Sequence, residues 1–222
     1  MKGNFSHSVR IVHLTIALIC CLLFASCASR SVTYPSGYAV ASWYGAEFHG
    51  RPTSSGEIFN MYAPTCAHRE YPFGTKLKVT NVASNKSTYC IVNDRGPFVA
   101  GRDIDLSMAT AREIGLMGTG PVKIEYAGRD NSYIKNVKYA ARNGPFTIQV
   151  GSFRERANAM RLKEGLDLRY ERVHISESHV KGDTYYRVRI GKFAAREDVN
   201  TVARELADEG YSVFVTGYEE RI

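Results

Sequence analysis

Three stretches of the chain concentrate side chains able to move a proton. Trp43-Tyr-Gly-Ala-Glu-Phe-His-Gly-Arg-Pro-Thr-Ser-Ser-Gly-Glu57 ends on an acid, and Ala63-Pro-Thr-Cys-Ala-His68 ends on a histidine. The third, Val92-Asn-Asp-Arg-Gly-Pro97, is followed by Gly101-Arg-Asp-Ile-Asp-Leu-Ser107. Glu57, His68, Asp94 and Asp105 are the candidates for acid, base and orienting roles. Two carboxylates held close together raise the pKa of one of them, and a general acid must stay protonated near neutrality. These residues lack the paired His or Cys spacing of a metal site, so neither metal nor cofactor is expected. Each acid also has a structural reading. Asp94 can cap backbone amides in a turn, and Asp105 can help start a helix at Ser107.

For these groups to converge, strands must carry them. Cys90, Val92 and Asp94 share one face by alternation, as do Cys66 and His68. A bridge between Cys66 and Cys90 on neighbouring strands would bring His68 and Asp94 near each other beyond it, where a groove could lie. Trp43 and Tyr44 are adjacent in a strand, so one ring is expected to face that groove. β-rich runs occur at Ala39–Tyr44, Lys76–Asn81, Thr88–Asn93 and Val122–Tyr126, punctuated by Gly, Pro and Asn. One helix is expected between Ser107, a good N-cap, and Gly115, a C-terminal stop. Many short strands with one helix over residues 38–126 predict a closed barrel.

Residues 127–145 are polar, contain the turn signal Asn143-Gly-Pro145, and read as a linker. Residues 146–222 then follow the order βαββαβ, a ferredoxin- or RNP-like pattern, so the fold class is mainly β followed by α+β. An internal near-repeat supports this: Gln149-Val-Gly-Ser-Phe153 recurs as Arg189-Ile-Gly-Lys-Phe193, each strand leading into a helix. Ile148, Val150, Val173, Ile175, Val188, Ile190, Val213 and Val215 share the phase that helices should cover. The opposite face would present Gln149, His174, Ser176, Tyr185, Arg187, Arg189 and Phe214. Rings beside arginines exceed what solvation needs; with Ser152 of the repeated motif, Gln149, Tyr185, Arg187, Arg189 and Phe214 are candidate ligand contacts.

The 222 residues carry a formal charge of +7, are 44% hydrophobic and 23% charged, and suffice for two small globular cores. The charge is not a nucleic-acid footprint. Residues 146–222 hold 13 basic and 13 acidic groups, and residues 28–145 hold 14 and 9. Lys2 and Arg10 flank the start of an apolar run, Ile11–Phe24, too short to span a bilayer comfortably, as in a signal peptide over residues 1–26. Phe24-Ala-Ser-Cys27 resembles a lipobox, which would make Cys27 the lipidated first residue of a tether over residues 27–37. A diacylglycerol thioether plus an N-acyl chain such as palmitate exceeds the two signals needed for stable anchoring. Ala28 is not the aspartate that retains such lipoproteins at the inner membrane, which implies the outer one. Cys20 and Cys21 leave with the signal, so Cys66 and Cys90 remain in an oxidising compartment and are expected to be bridged.

The motifs Ser42-Trp-Tyr-Gly45, Phe48-His-Gly-Arg51, Gly56-Glu-Ile-Phe59, Pro72-Phe-Gly-Thr75, Asn93-Asp-Arg-Gly-Pro-Phe98 and Ile104-Asp-Leu-Ser107 resemble the rare lipoprotein A (RlpA) family of septal-ring lytic transglycosylases. The resemblance runs from Ala41 to Tyr126 and implies a six-stranded double-psi β-barrel related to expansins. Phe146–Tyr218 resembles the SPOR domain, which in relatives binds glycan strands stripped of stem peptides at division sites. Glu57, His68 and Asp94 match positions important in the family, and Asp105 matches the essential aspartate of related barrels. Trp43, Tyr44 and Arg95 are the expected glycan contacts of the barrel. Cys66, Cys90 and Ala46 depart from the family pattern without replacing an acid.

What the resemblance implies is a lyase that cuts the MurNAc–GlcNAc β-1,4 bond of denuded peptidoglycan and leaves 1,6-anhydroMurNAc, at the septum during daughter-cell separation. One well-placed acid suffices for that reaction, whereas a hydrolase would usually need two opposed carboxylates. Asp105 is assigned as acid/base, Asp94 as its electrostatic partner, Glu57 as stabiliser or alternative acid, and His68 as an orienting group. The alternative is a non-catalytic outer-membrane lipoprotein that binds septal wall through both domains. Denuded glycan, the membrane through Cys27 and divisome proteins are the expected partners of a monomer facing the periplasm.

Overall fold

The computed structural model describes residues 37–218; the apolar leader, the lipobox and Cys27 lie outside the described residues. Alternation is clearest in β3 (Thr75–Asn81), where Leu77 and Val79 are buried between more accessible Lys76 and Lys78. It is absent from β2 (Thr65–His68) and β5 (Ile104–Leu106), where nearly every residue is buried. A strand covered on both faces has no polar phase to show, which is why the sequence pattern passes over β5. With β1 (Gly37–Trp43), β4 (Ser87–Asp94) and β6 (Gly120–Arg129), these strands close in the order β1-β5-β2-β4-β3-β6 among the described residues. β1 runs parallel to β5 and β2 parallel to β4, while β6 pairs antiparallel with β1 to close the expected six-stranded barrel.

α1 (Met108–Glu113) starts as expected, with Ser107 Oγ accepting from the Thr110 amide at 3.2 Å. Gly115 ends it at φ +67°, a left-handed value that favours glycine. A disulfide joins Cys66 on β2 to Cys90 on β4 with Cα atoms 5.8 Å apart, inside the barrel core with Tyr71, Leu77 and Val92.

The expected linker is a structured seam. β6 continues to Arg129, a 3-10 turn covers Asn131–Tyr133, and β7 (Lys138–Tyr139) joins the second sheet. Its polar composition conceals Tyr133 and Val137, which pack against the core, and its amides find fixed partners, including Lys135 N to Ala207 O at 2.9 Å.

The second sheet comprises β8 (Phe146–Phe153), β9 (Val173–Val180), β10 (Asp183–Phe193) and β11 (Phe214–Gly217), with α2 (Arg156–Asp167) and α3 (Arg196–Asp208) between them, as the βαββαβ reading expects. The order is β7-β11-β8-β10-β9, one strand more than that reading, because β7 adds parallel to β11. Ile148, Val150, Val173, Val188, Ile190, Val213 and Val215 are buried with Leu162 and Leu166 of α2 and Val199, Ala203 and Leu206 of α3. Ile175 is half-buried. A bulge matters for function. Arg189 pairs with Gln149 and Arg187 with Ser152, with a register shift between, so residues three apart on β8 reach the same open face.

Barrel and sheet form one compact unit pinned by a buried cation. Arg95 is 3% exposed, lies 3.9 Å from the Phe73 ring centroid and 5.1 Å from that of Tyr211, and donates from Nε to Tyr211 Oη at 2.6 Å. Its Nη1 donates to the carbonyl of Tyr71 at 2.9 Å. A buried guanidinium is tolerated when its donors and ring contacts replace water in this way. Gly165 of α2 makes room: a Cβ there would stand 3.3 Å from Arg95 Cβ. Glycine inside a helix costs about 1 kcal/mol relative to alanine, so this position trades helix propensity for close approach.

Candidate active site

The barrel's strand ends open onto a cleft of about 420 Å³ lined by Trp43, Tyr44, Phe48, Asp94, Arg102 and Asp105, among others. β5 delivers Asp105 beside Ser42 of β1, its partner in the parallel register. Ser42 Oγ donates to Asp105 Oδ1 at 2.5 Å, and Arg102 Nη2 lies 3.7 Å from Oδ2. Burial pushes the Asp105 carboxyl above its ordinary value, against the Ser42 hydrogen bond and Arg102, while the Asp94 charge pushes the same way as burial. Asp94 stands at the end of β4. Its Oδ1 accepts from the amides of Ser54 and Arg95, both at 2.8 Å, and its Oδ2 accepts from Tyr44 Oη at 3.3 Å. Burial, then the charges of Asp94 and Asp105, hold the Tyr44 phenol well above its usual range, so it is a hydrogen-bond donor.

The cleft thus contains one carboxyl inclined to hold a proton and one carboxylate held by three donors. That division suits a general acid with an electrostatic partner. Tyr44 packs on Phe48 and Phe59, with centroids 5.6 and 4.9 Å away, and Trp43 is 38% exposed. Both adjacent rings therefore line the cleft, where alternation led us to expect one.

Glu57 and His68 are not part of this lining. Glu57 is exposed, accepting from Asn93 Nδ2 at 2.8 Å and Tyr133 Oη at 2.7 Å, so it ties the end of β4 beside Asp94 to the seam. His68 is buried; its Nδ1 accepts from the amides of Glu70 and Tyr71 at 3.1 and 3.2 Å. Burial, with Arg95 and Arg69 nearby, depresses its pKa to about 3. A bulge at Asn93 of β4, where Cys66 pairs with Val92 but Ala67 with Asp94, turns Asp94 off the face that Val92 shares with Cys66 and so parts it from His68. Arg95 does border the cleft, but its guanidinium is enclosed by Tyr211 and Phe73. Sequence reasoning missed Ser42 and Arg102. Arg102, three residues before Asp105, was the available signal.

On the second sheet, Gln149, Ser152, Tyr185 and Phe214 line one pocket of about 510 Å³ together with Ser54, Ser55 and Gly56 of the barrel. Arg187 and Arg189 line a neighbouring one with His174, Ser176 and Tyr218. The expected open face is present, and its first pocket is bounded by the loop whose Ser54 amide holds Asp94.

Residues 37–126 match the family described as lytic transglycolase, and residues 143–217 match the SPOR domain. A Helicobacter pylori (strain J99) protein named endolytic peptidoglycan transglycosylase RlpA is 37% identical over 182 residues, 72% of this chain and 57% of that protein. The Vibrio cholerae protein of the same name is 35% identical over 198 residues, 86% of this chain and 74% of its own length. A Synechocystis protein named probable endolytic peptidoglycan transglycosylase RlpA is 56% identical over 81 residues, 36% of this chain and 25% of its own. The chain thus spans little more than half of the Helicobacter relative but most of the Vibrio one. A transglycolase barrel with its acids in an open cleft, a SPOR module behind it, and a relative matched over most of both lengths place this chain in the RlpA family.

Proposed function

We propose that this protein is an endolytic lytic transglycosylase that cuts the MurNAc–GlcNAc β-1,4 bond of peptide-stripped glycan. The pairing of Asp105 with Asp94 in one solvent-reachable cleft carries the reading. Asp105 donates its proton to the glycosidic oxygen as the bond from C1 breaks, leaving the GlcNAc 4-hydroxyl. The resulting carboxylate then takes the proton of the muramoyl C6 hydroxyl as O6 bonds to C1, which closes the anhydro ring and restores the acid. No water enters the balance. Asp94 stabilises the positive charge that develops at C1, with Tyr44 and the Ser54 amide fixing its position. Trp43 and Phe48 offer faces on which sugar rings stack.

The SPOR face, with Gln149, Ser152, Tyr185, Arg187, Arg189 and Phe214, holds the strand and brings the protein to septal wall. Lipidation at Cys27 would keep it on the periplasmic side of the outer membrane, with divisome proteins as neighbours. Mass spectrometry of amidase-stripped sacculi digested with the purified protein tests the chemistry: 1,6-anhydromuramoyl fragments are expected. Protein that pellets with sacculi yet frees no such fragment would reduce the barrel to a wall-binding part.

A further inference from the structure

The wall of the catalytic cleft is not made by the barrel alone. α2, an element of the SPOR module, puts Arg161 and Glu164 into the same lining as Asp94 and Asp105. The placement is held on both sides. Gly165 rests against Arg95 one residue after Glu164, and ahead of the helix Glu155 pairs with Arg51 of the barrel at 3.4 Å.

The charges in the cleft differ in what they are free to do. Arg95 is enclosed by Tyr211 and Phe73, and Arg102 serves Ser42 and Asp105. Arg161 is half-buried, donates to the Asn158 side chain of its own helix and lies 5.3 Å from the Phe48 centroid. Among the described residues no carboxylate pairs with it. From Arg161 the contacts run through Phe48 and the Tyr44 ring to Asp94, so the cation sits within a few side chains of the reacting groups. A cleft whose lining also holds Glu47, Asp94 and Glu164 repels an anionic sugar unless such a cation compensates.

We propose that Arg161 is a specificity-determining residue, lent to the barrel by the SPOR module, which receives the lactyl carboxylate of a muramoyl residue whose stem peptide has been removed. The inference rests on the proposed function and deepens it. Hydrolysis of the lactyl–peptide amide leaves a carboxylate on the same sugar whose C1 bond is to break. An arginine fork matches a carboxylate with parallel N–H donors and matches a neutral amide poorly. A strand still bearing its peptide presents that amide, and a bulky substituent, to the wall formed by α2. The module expected to hold stripped strands thereby also reads the stripping at the cut.

The test compares initial rates of anhydro-product release from two substrates. One is amidase-stripped glycan; the other is the same glycan after carbodiimide coupling with methylamine turns its lactyl carboxylates into neutral amides. Wild type should be about 10-fold to 100-fold slower on the amidated strands. R161Q should lose a similar factor on stripped strands and nothing further on amidated ones, with R161K recovering part of the loss. R161Q that equals wild type on stripped strands overturns the proposal. So does a defect of equal size on both substrates, which marks a merely structural role. Wild type that frees no anhydro product from either substrate overturns the function itself and this inference with it, a result distinct from activity that ignores the lactyl charge.

Discussion

Asp94 and Arg95 are consecutive, and the structure uses them in opposite ways. Asp94 faces a solvent-reachable cleft whose lining it shares with Asp105, the Tyr44 phenol, Arg102 and Arg161. Arg95 faces the junction between barrel and sheet, where rings and carbonyls take up a guanidinium that is 3% exposed. His68 belongs to the second environment, next to Arg95, and its ring nitrogen already holds two amides. A family motif can therefore span two kinds of site. Charge that remains approachable does chemistry, whereas charge fully engaged by its own chain fixes the geometry in which the chemistry happens.

The comparison is broken most severely at Asp105. Asp105→Asn keeps the shape and the Ser42 contact but removes the transferable proton, so anhydro-product release should fall by about 10²- to 10⁴-fold while the melting temperature holds. The pH profile sharpens this. Asp105 must begin protonated, and its raised pKa keeps the acid form to a higher pH than an ordinary carboxyl, with activity lost as pH rises through that pKa. Asp94→Asn removes a charge that pushes the Asp105 pKa upward, so in the residual activity the descending limb should move to lower pH. A limb that stays in place would separate the two acids.

At the junction the readout is stability. Tyr211→Ala strips Arg95 of a ring and an acceptor while leaving its charge buried, which should cost about 3 to 5 kcal/mol in denaturant unfolding and lower the melting temperature by roughly 10 °C. Intact stability would mean that water takes over the role of Tyr211. His68 gives a pH signature of comparable size. Its folded pKa of about 3 lies below its unfolded value of 6.5, so the unfolded chain binds the extra proton first. Its contribution is present above pH 6.5 and is lost as pH falls toward 3, on the order of 4 kcal/mol in all. Urea titrations between those limits should show this slope in wild type and a flatter one in His68→Asn. The smallest effect is expected at Glu57, outside the cleft: Glu57→Gln keeps its acceptor for Asn93 and should alter the turnover rate by less than about threefold. A hundredfold loss would return Glu57 to the chemistry.

The order of elements in the second domain, the helix between Ser107 and Gly115 and the disulfide partners were legible in the sequence. They depend on alternation, caps and elimination, which act over a few residues at a time. Asp94 and Asp105 were named only among four candidates, two of which lie outside the cleft lining. β5 was hidden because a strand buried on both faces shows no period, and β7 because a polar stretch can still lend its backbone to a sheet edge. Asp94 and Ser152 each moved to a face that simple alternation did not give them, since one bulge changes the side on which every later residue lies.

By itself, then, the sequence determined which side chains were available, that Asp94 would stand on a strand of a barrel, and that a second module would follow. Only the tertiary structure decided that Asp94 meets Asp105 while His68 and Arg95 turn to the junction, and that a helix some seventy residues downstream walls the cleft. The reason lies in range: local patterns set direction and period along one segment, whereas burial and charge pairing depend on which distant segments the packed core brings alongside.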